Sequence, residues 1–135
     1  MATIKLEIVT PEARTYADDV DMVTLTGSEG EMGILPHHML LMTQLVAGEI
    51  VVRKGGADIV LAVGDGFVQV TGDRVAILTD MAVRAENIDE AAAEEAQRRA
   101  EARLAQNLSD EETATVQAAL AHAIVQLKVK QRHKK

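Results

Sequence analysis

Near Glu86-Asn87 the hydrophobic pattern of this chain changes from period two to the three-and-four spacing of a helix, so no single kind of element accounts for it. Upstream, Ile4, Leu6 and Ile8 alternate with Lys5 and Glu7, the mark of a half-buried strand. A second β-branched run covers residues 20–26. Residues 49–53 and 58–63 flank Lys54-Gly55-Gly56-Ala57, and residues 67–71 and 74–78 flank Gly72-Asp73. Each pair is a hairpin signal, with Gly64-Asp65-Gly66 as the turn between them. Short strands punctuated this often predict an antiparallel sandwich or a flattened barrel.

Downstream, Asn87 with Glu90 forms a capping-box pattern that opens an alanine-rich helix running to about Gln106. Glu94 and Glu95 stand four residues before Arg98 and Arg99, the favoured order for helix ion pairs. Ser109 with Glu112 opens a second helix, and Asp110 and Glu111 complement its dipole. This helix carries Val116, Leu120, Ala123 and Leu127 as a narrow apolar seam, answered on the first helix by Ala92, Ala96, Ala100 and Leu104. The short connection at Asn107-Leu108 predicts an antiparallel hairpin. A methyl group buried in such a seam contributes only about 0.8 kcal/mol, so the hairpin must lean on the β domain or on a partner. A helix over residues 110 to about 132 is roughly 34 Å long at ~1.5 Å per residue, the reach of an arm. The organisation expected is α+β: a β domain over 1–86, then an α-helical hairpin with a basic tail over 87–135.

Composition narrows the function. Tyr16 and Phe67 are the only aromatic residues, so the core must be aliphatic and methionine. There is no cysteine, which removes disulfides and thiolate chemistry. The net charge of −7 argues against general nucleic-acid binding. The charge is unevenly spread: residues 128–135 hold Lys128, Lys130, Arg132, Lys134 and Lys135 and no acid, which suggests a localised acidic partner or a solvated tail. No apolar run approaches ~18 residues, so no transmembrane helix is expected. The N-terminus lacks the pattern of a signal peptide, and the protein reads as cytosolic or peripheral.

Gly27, Gly30 and Gly33 recur every third residue, followed by Pro36, His37 and His38, and together they predict one specified irregular loop. It is no phosphate loop, because Gly-Lys-Ser/Thr does not follow and the spacing is not that of a dinucleotide fingerprint. His37-His38 lacks the spacing and the third ligand of a zinc site, so no metal is expected. Asp18, Asp19 and Asp21 read as a turn and a solvent face. No nucleophile–base constellation stands out, and no catalytic residue is assigned.

The stretch from Gly27 to His38 resembles the signature of the epsilon subunit family of bacterial F-type ATP synthases. The first strand with Thr10-Pro11-Glu12, the segment Gly64-Asp65-Gly66-Phe67-Val68-Gln69-Val70, and the run from Ala82 to Glu90 resemble the same family, in order along the chain. The resemblance implies a two-sheet β-sandwich followed by a helical hairpin. It implies a non-catalytic place on the rotor stalk of a proton- or sodium-driven synthase, between the gamma subunit and the c ring, at the cytoplasmic face of the bacterial plasma membrane. It further implies that the extended hairpin restrains ATP hydrolysis by meeting the catalytic beta and alpha subunits. Residues implied in c-ring and gamma contact are Glu29, Glu31, Gly33, Pro36, His37 and His38; those implied in inhibition are Arg98, Arg99, Arg103, Lys128, Lys130 and Arg132. The family loop commonly reads Gly-His-x-Pro after its proline, whereas here His37 replaces the small residue and Leu40 the second proline. No cofactor is expected. ATP enters as a regulatory ligand of some members, through an Ile/Leu-Asp-x-x-Arg motif that Ile88 and Asp89 match, with Arg99 matching a later arginine. Ala92 replaces the motif arginine, and His122 and Gln126 stand where arginines would help, so phosphate recognition is weakened. The alternative reading is an ATP-sensing module in which a ligand redocks the hairpin.

Overall fold

The computed structural model describes residues 3–27, 30–37 and 40–133, without the side chains of Arg14 and Thr15. In those residues ten strands come first: β1 (Ile4–Val9), β2 (Arg14–Val20), β3 (Met22–Gly27), β4 (Gly30–Ile34), β5 (Leu41–Leu45), β6 (Gly48–Lys54), β7 (Ala57–Val63), β8 (Gly66–Thr71), β9 (Arg74–Thr79) and β10 (Ala82–Arg84). A single 3-10 turn, Ala85–Asn87, leads to α1 (Glu90–Leu104) and α2 (Asp110–Arg132). One layer runs β10-β7-β6-β3-β4 and the other β5-β8-β9-β1-β2; β3 joins them where Gly27 pairs with Leu45. Between the layers Ile4, Leu6, Ile8, Leu25, Ile34, Ile50, Leu61 and Ile77 are fully enclosed. Each such side chain contributes ~1.5–3 kcal/mol over its exposed state. The core is aliphatic as expected, with Tyr16 at its margin and Met32 packed on its edge.

Four expectations for the strand region change in detail. The β1–β9 pair is parallel, from Lys5↔Arg74 to Val9↔Leu78, within an otherwise antiparallel scheme. Nearly the whole β domain separates these two strands in sequence, so no tight turn dictates their direction. The β-branched run at 20–26 is not one strand: Asp21 breaks it between β2 and β3. Its amide donates to the Arg53 carbonyl at 2.8 Å, and its carboxylate accepts the Gly55 amide at 2.9 Å. Asp18 and Asp19 lie within β2 rather than in a turn, and Asp18 pairs with Lys54. Finally, the triple-glycine segment is a β-hairpin rather than an irregular loop, with β3 and β4 paired from Val23↔Ile34 to Gly27↔Gly30.

The run Ile59-Val60-Leu61-Ala62-Val63 is apolar without alternation because β7 is covered on both faces. Leu61 and Val63 face the sandwich core, while Ala62 joins a second cluster with Ala85, Ile88 and Val129, edged by Val60, Val83 and Val125. That second cluster seats the helical hairpin on the outside of the first layer.

The hairpin forms, with shifted details. Asp89, not Asn87, caps α1: its carboxylate accepts the Ala92 amide at 3.0 Å. Ile88 is extended and buried in the second cluster, so the helix starts only after it. Ala93 and Ala100 are the buried positions of α1, with Leu104 half-buried, while Ala92 and Ala96 are exposed. The predicted seam of α2 is present, Val116 and Leu120 half-buried and Ala123 and Leu127 buried. Ser109 and Glu112 make the full reciprocal capping box. Of the two expected pairs on α1, Glu95–Arg99 closes at 2.9 Å, while none is found for Glu94–Arg98.

Candidate functional site

Three surfaces frame the candidate site, two of them carrying residues singled out from sequence. The first is the β3–β4 hairpin and the turn after it. Gly30 has φ of 117°, a conformation that favours glycine, and it carries the chain back into β4. Glu31 is exposed opposite Thr26, and Gly33 lies opposite Thr24. Pro36 and His37 form the following turn, with His37 at φ 65°, left-handed for a residue that bears a Cβ. Leu40 and Met42, 76% and 70% exposed, lie just beyond. Glu31 thus lies beside Thr26 at the Gly27–Gly30 end of the β3–β4 pair, whereas Pro36 and His37 follow Ile34 at its other end; Glu29 and His38 lie outside the described residues.

The second surface was not singled out from sequence. On β8 the alternation turns Val68 and Val70 inward and leaves Phe67 outward, 55% exposed. Register sets Phe67 beside Leu78 of β9, 52% exposed, and beside Gln44 of β5. Leu78 in turn neighbours Val9 of β1. The strands approach closely here: a Cβ on Gly66 would fall 1.8 Å from the Leu78 carbonyl oxygen. With Met42 this is an apolar face on the outside of the second layer, opposite the side on which the helices pack. The signal was available, since one of only two aromatic residues stands at an outward position of an alternating strand.

The third surface is the contact between the hairpin and the β domain. Around the second cluster, α2 makes polar contacts at both ends. The His122 imidazole lies 3.1 Å from the Asp80 carboxylate. Lys130 donates to the Ala85 carbonyl at 3.2 Å. The His133 ring nitrogen lies 2.5 Å from the Glu49 carboxylate, and Arg132 lies 4.0 Å from the same group. Lys128 is exposed. On the outer hairpin surface Arg98 is exposed, Arg99 pairs with Glu95, and Arg103 reaches Glu112 at 3.4 Å. The six basic residues implied in inhibition are therefore spread over both helices, and in this docked arrangement Lys130 is tied to the β domain.

A groove of about 470 Å³ runs where the first turn of α1 meets α2, lined by Ile88, Asp89, Ala92, Ala96, His122 and Gln126 among others. Its lining does not suit a nucleoside triphosphate. Ile88 is buried in the second cluster, and Asp89 is engaged as the helix cap. Arg99 does not line the groove, and no guanidinium or ammonium group does. A charged phosphate chain would face Asp89 with His122 already committed to Asp80.

Among the described residues no group of three or more His, Asp or Glu side chains is arranged to hold a metal ion. None of their helices is long and apolar enough to cross a membrane. Two displaced titrations are structural. Burial, then the Asp18 charge, pushes the Tyr16 phenol up, and its buried hydroxyl has no hydrogen-bond partner, while Arg84 lies 5.3 Å above its ring. The hydrogen bond from Ser109 holds the Glu112 carboxyl below its usual value.

Comparison with known proteins gives one consistent answer. Residues 3–85 match the family model described as "ATP synthase, Delta/Epsilon chain, beta-sandwich domain", and residues 86–131 match "ATP synthase, Delta/Epsilon chain, long alpha-helix domain". The chain is 46% identical to the ATP synthase epsilon chain of Dehalococcoides mccartyi strain BAV1, across 100% of this chain and 97% of that one. It is 43% identical to the ATP synthase epsilon chain of Herpetosiphon aurantiacus, across 93% of each. Among solved structures, a chain of the Euglena gracilis mitochondrial ATP synthase (OSCP/F1/c-ring) superposes with a TM-score of 0.73 at 26% identity, over 98% of this chain and 83% of that one. A chain of the Tetrahymena thermophila mitochondrial ATP synthase central stalk and c ring shares the fold, with a TM-score of 0.57 at 11% identity over 94% of this chain and 96% of that one.

Proposed function

This chain belongs to the ATP synthase delta/epsilon chain family, and from that premise we propose that it is the non-catalytic central-stalk subunit that couples the gamma subunit to the c ring and restrains ATP hydrolysis through its helical hairpin. The division of labour falls at 1–86 and 87–135: the β domain anchors and the hairpin regulates. One observation carries the anchoring role. The outward face of Phe67, Leu78 and Met42 is apolar and is not covered by the helices. A gamma subunit seated on that face leaves the β3–β4 pair open to the c ring. The assembly sits at the cytoplasmic face of the bacterial plasma membrane, with the chain itself peripheral.

The regulatory role is supported by the unequal seats of the two parts. Among the described residues, seventeen form the core that holds the sandwich together, whereas four buried residues form the cluster beneath the hairpin. Release of the hairpin frees Lys130 and Arg132 from the β domain. Together with Lys128, Arg98, Arg99 and Arg103 they then meet acidic surface on the catalytic beta and alpha subunits. ATP has no fitted seat in the groove, so a mechanical role is favoured over an ATP-sensing one, and calorimetry of the full chain with ATP is expected to be silent.

Two measurements test the proposal. Replacing Phe67 with Ser removes an apolar anchor and is expected to weaken binding to purified gamma subunit by at least tenfold; unchanged affinity would move the gamma interface elsewhere. Changing Lys128, Lys130 and Arg132 together to Ala in the assembled enzyme is expected to raise ATP hydrolysis. Hydrolysis at the original rate would remove the basic end of α2 from the mechanism.

A further inference from the structure

We propose that His122 and His133 are a two-point proton-operated latch that sets how firmly the hairpin is docked on the β domain. His122 lies on α2 and His133, eleven positions on, caps its C-terminal end, and each meets a carboxylate of the β domain: His122 with Asp80 at 3.1 Å, His133 with Glu49 at 2.5 Å. The pairs stand on either side of Val129 and the apolar cluster, so each restrains a different end of the docked segment. A carboxylate attracts an imidazolium and gives a neutral imidazole no more than a hydrogen bond. Protonation of either ring therefore tightens docking, and docking loosens as the rings lose their protons with rising pH.

The surroundings of the two points differ. His122 faces Asp80 from the β9–β10 turn and shares its groove with Asp89 from the start of α1, with Gln126 on its own helix; no basic residue lines that groove. His133 shares a cleft of about 490 Å³ with Asp58 of β7, Arg84 of β10, Glu86 of the 3-10 turn and Lys130 of α2, and Arg132 also approaches Glu49. Acids and bases nearly balance there, while the His133 contact is the shorter and its partner Glu49 the less exposed, so both points contribute.

A glycine makes the His122 contact fit. A Cβ on Gly64 would lie 1.9 Å from the Asp80 carboxylate oxygen and 3.2 Å from the His122 ring nitrogen. Gly64 does not have a positive φ, so its need for glycine comes from this close approach and not from the backbone. The β7–β8 turn is shaped so that Asp80 lies over its backbone within reach of α2.

The consequence rests on the reading above that the released hairpin restrains hydrolysis: alkaline conditions free the hairpin and acid conditions hold it docked. Because the chain has no cysteine, Asp73→Cys and Ala118→Cys give one exposed label on the β domain and one on α2. Energy transfer between the labels in the full chain, at a urea concentration that places docking near its midpoint at pH 7, reads the docking constant. From pH 5.5 to 8.5 it is expected to fall roughly three- to tenfold, the scale of two partly exposed ion pairs. His122→Gln with His133→Gln should flatten the profile, and His122→Lys with His133→Lys should keep the hairpin docked at both ends of the range. Gly64→Ala, which changes no charge, should reduce the pH dependence to that of the His133–Glu49 pair, the same reduction as His122→Gln alone, by unseating Asp80. A flat profile for the unsubstituted histidines, or an unchanged profile in the double Gln variant, overturns the latch. Deleting 87–135 in the assembled enzyme separates the two readings. Raised hydrolysis beside a flat profile sinks the latch alone, whereas unchanged hydrolysis beside a sloping profile sinks the restraint alone.

Discussion

Val129 is the residue at which the docking equilibrium can be moved with least collateral damage. It is buried in the cluster with Ala62, Ala85 and Ile88, and Ala62 is the only one of these partners within a β-strand. Val129→Ala removes two carbons, worth about 1.6 kcal/mol at ~0.8 kcal/mol per buried methylene. The cavity left behind raises the cost to at most ~2.5 kcal/mol. Alanine is the better helix former by roughly 0.5 kcal/mol, but that gain acts on docked and released α2 alike and cancels where the released segment stays helical. The docking constant is therefore expected to fall about 15- to 70-fold. The assay is hydrogen exchange along α2 and at 60–63, read beside thermal melting of the β domain. Exchange should accelerate at both segments while the melting of the sandwich stays in place, because Val129 does not belong to the core between the layers. A parallel loss of sandwich stability would show that hairpin and sandwich are one cooperative unit. Unchanged exchange would show that the cluster does not hold the hairpin. Either result refutes the two-seat argument.

Leu61→Ala, in the core between the layers, should cost ~2–5 kcal/mol of β-domain stability by chemical denaturation. His37→Gly should raise stability by about 1 kcal/mol by relieving the left-handed backbone, less the extra entropy of glycine in the unfolded chain; a loss measured by thermal unfolding would mean that the imidazole makes a compensating contact. Ser109→Ala should destabilise the start of α2 by ~1 kcal/mol, seen as faster exchange at residues 110–113. Glu112 has its carboxyl held down in the folded state, so its contribution is present above the ordinary glutamate range and is lost as pH falls below it. Fraying of the α2 start on acidification, followed by NMR, should disappear in Glu112→Gln.

Period was the most legible property of the sequence. The change near Glu86 marks where strands give way to the turn and helices, and Ile4, Leu6 and Ile8 are as buried as their alternation predicts. Helix phase was less legible. With alanine at 91, 92, 93, 96 and 100, two neighbouring faces carry the same side chain, and only tertiary packing selects the one through Ala93. The cap was misread for a related reason: Asn87 with Glu90 satisfies a local rule, but burial of Ile88 delays the helix to Asp89. The Gly27–Ile34 hairpin hid because glycines at 27, 30 and 33 leave no alternation to read. Contacts across the fold, such as His122 with Asp80 and His133 with Glu49, have no local signature at all, being 42 and 84 positions apart in the chain.

The two seats of the molecule lie on opposite sides of the sandwich, and that placement has a mechanical consequence. The hairpin rests on the outer face of β7 and β10, whereas Phe67, Leu78 and Met42 open from the outer face of β8, β9 and β5. Between them lies a core of fully enclosed aliphatic side chains, close-packed and poorly compressible. A partner seated on the Phe67 face therefore need not release when the hairpin does, and release of the hairpin need not strain the anchor. On the proposed reading of both contacts, a shared face would make each release of the hairpin compete with attachment to the rotor. The weak alanine contacts of α1 and the small cluster under Val129 can be tuned toward balance because the stability of the β domain is supplied by the core between the layers. On this arrangement Phe67→Ser and Val129→Ala should be energetically additive: partner affinity should fall with the first and docking with the second, with a coupling no larger than ~0.5 kcal/mol in a double-mutant cycle.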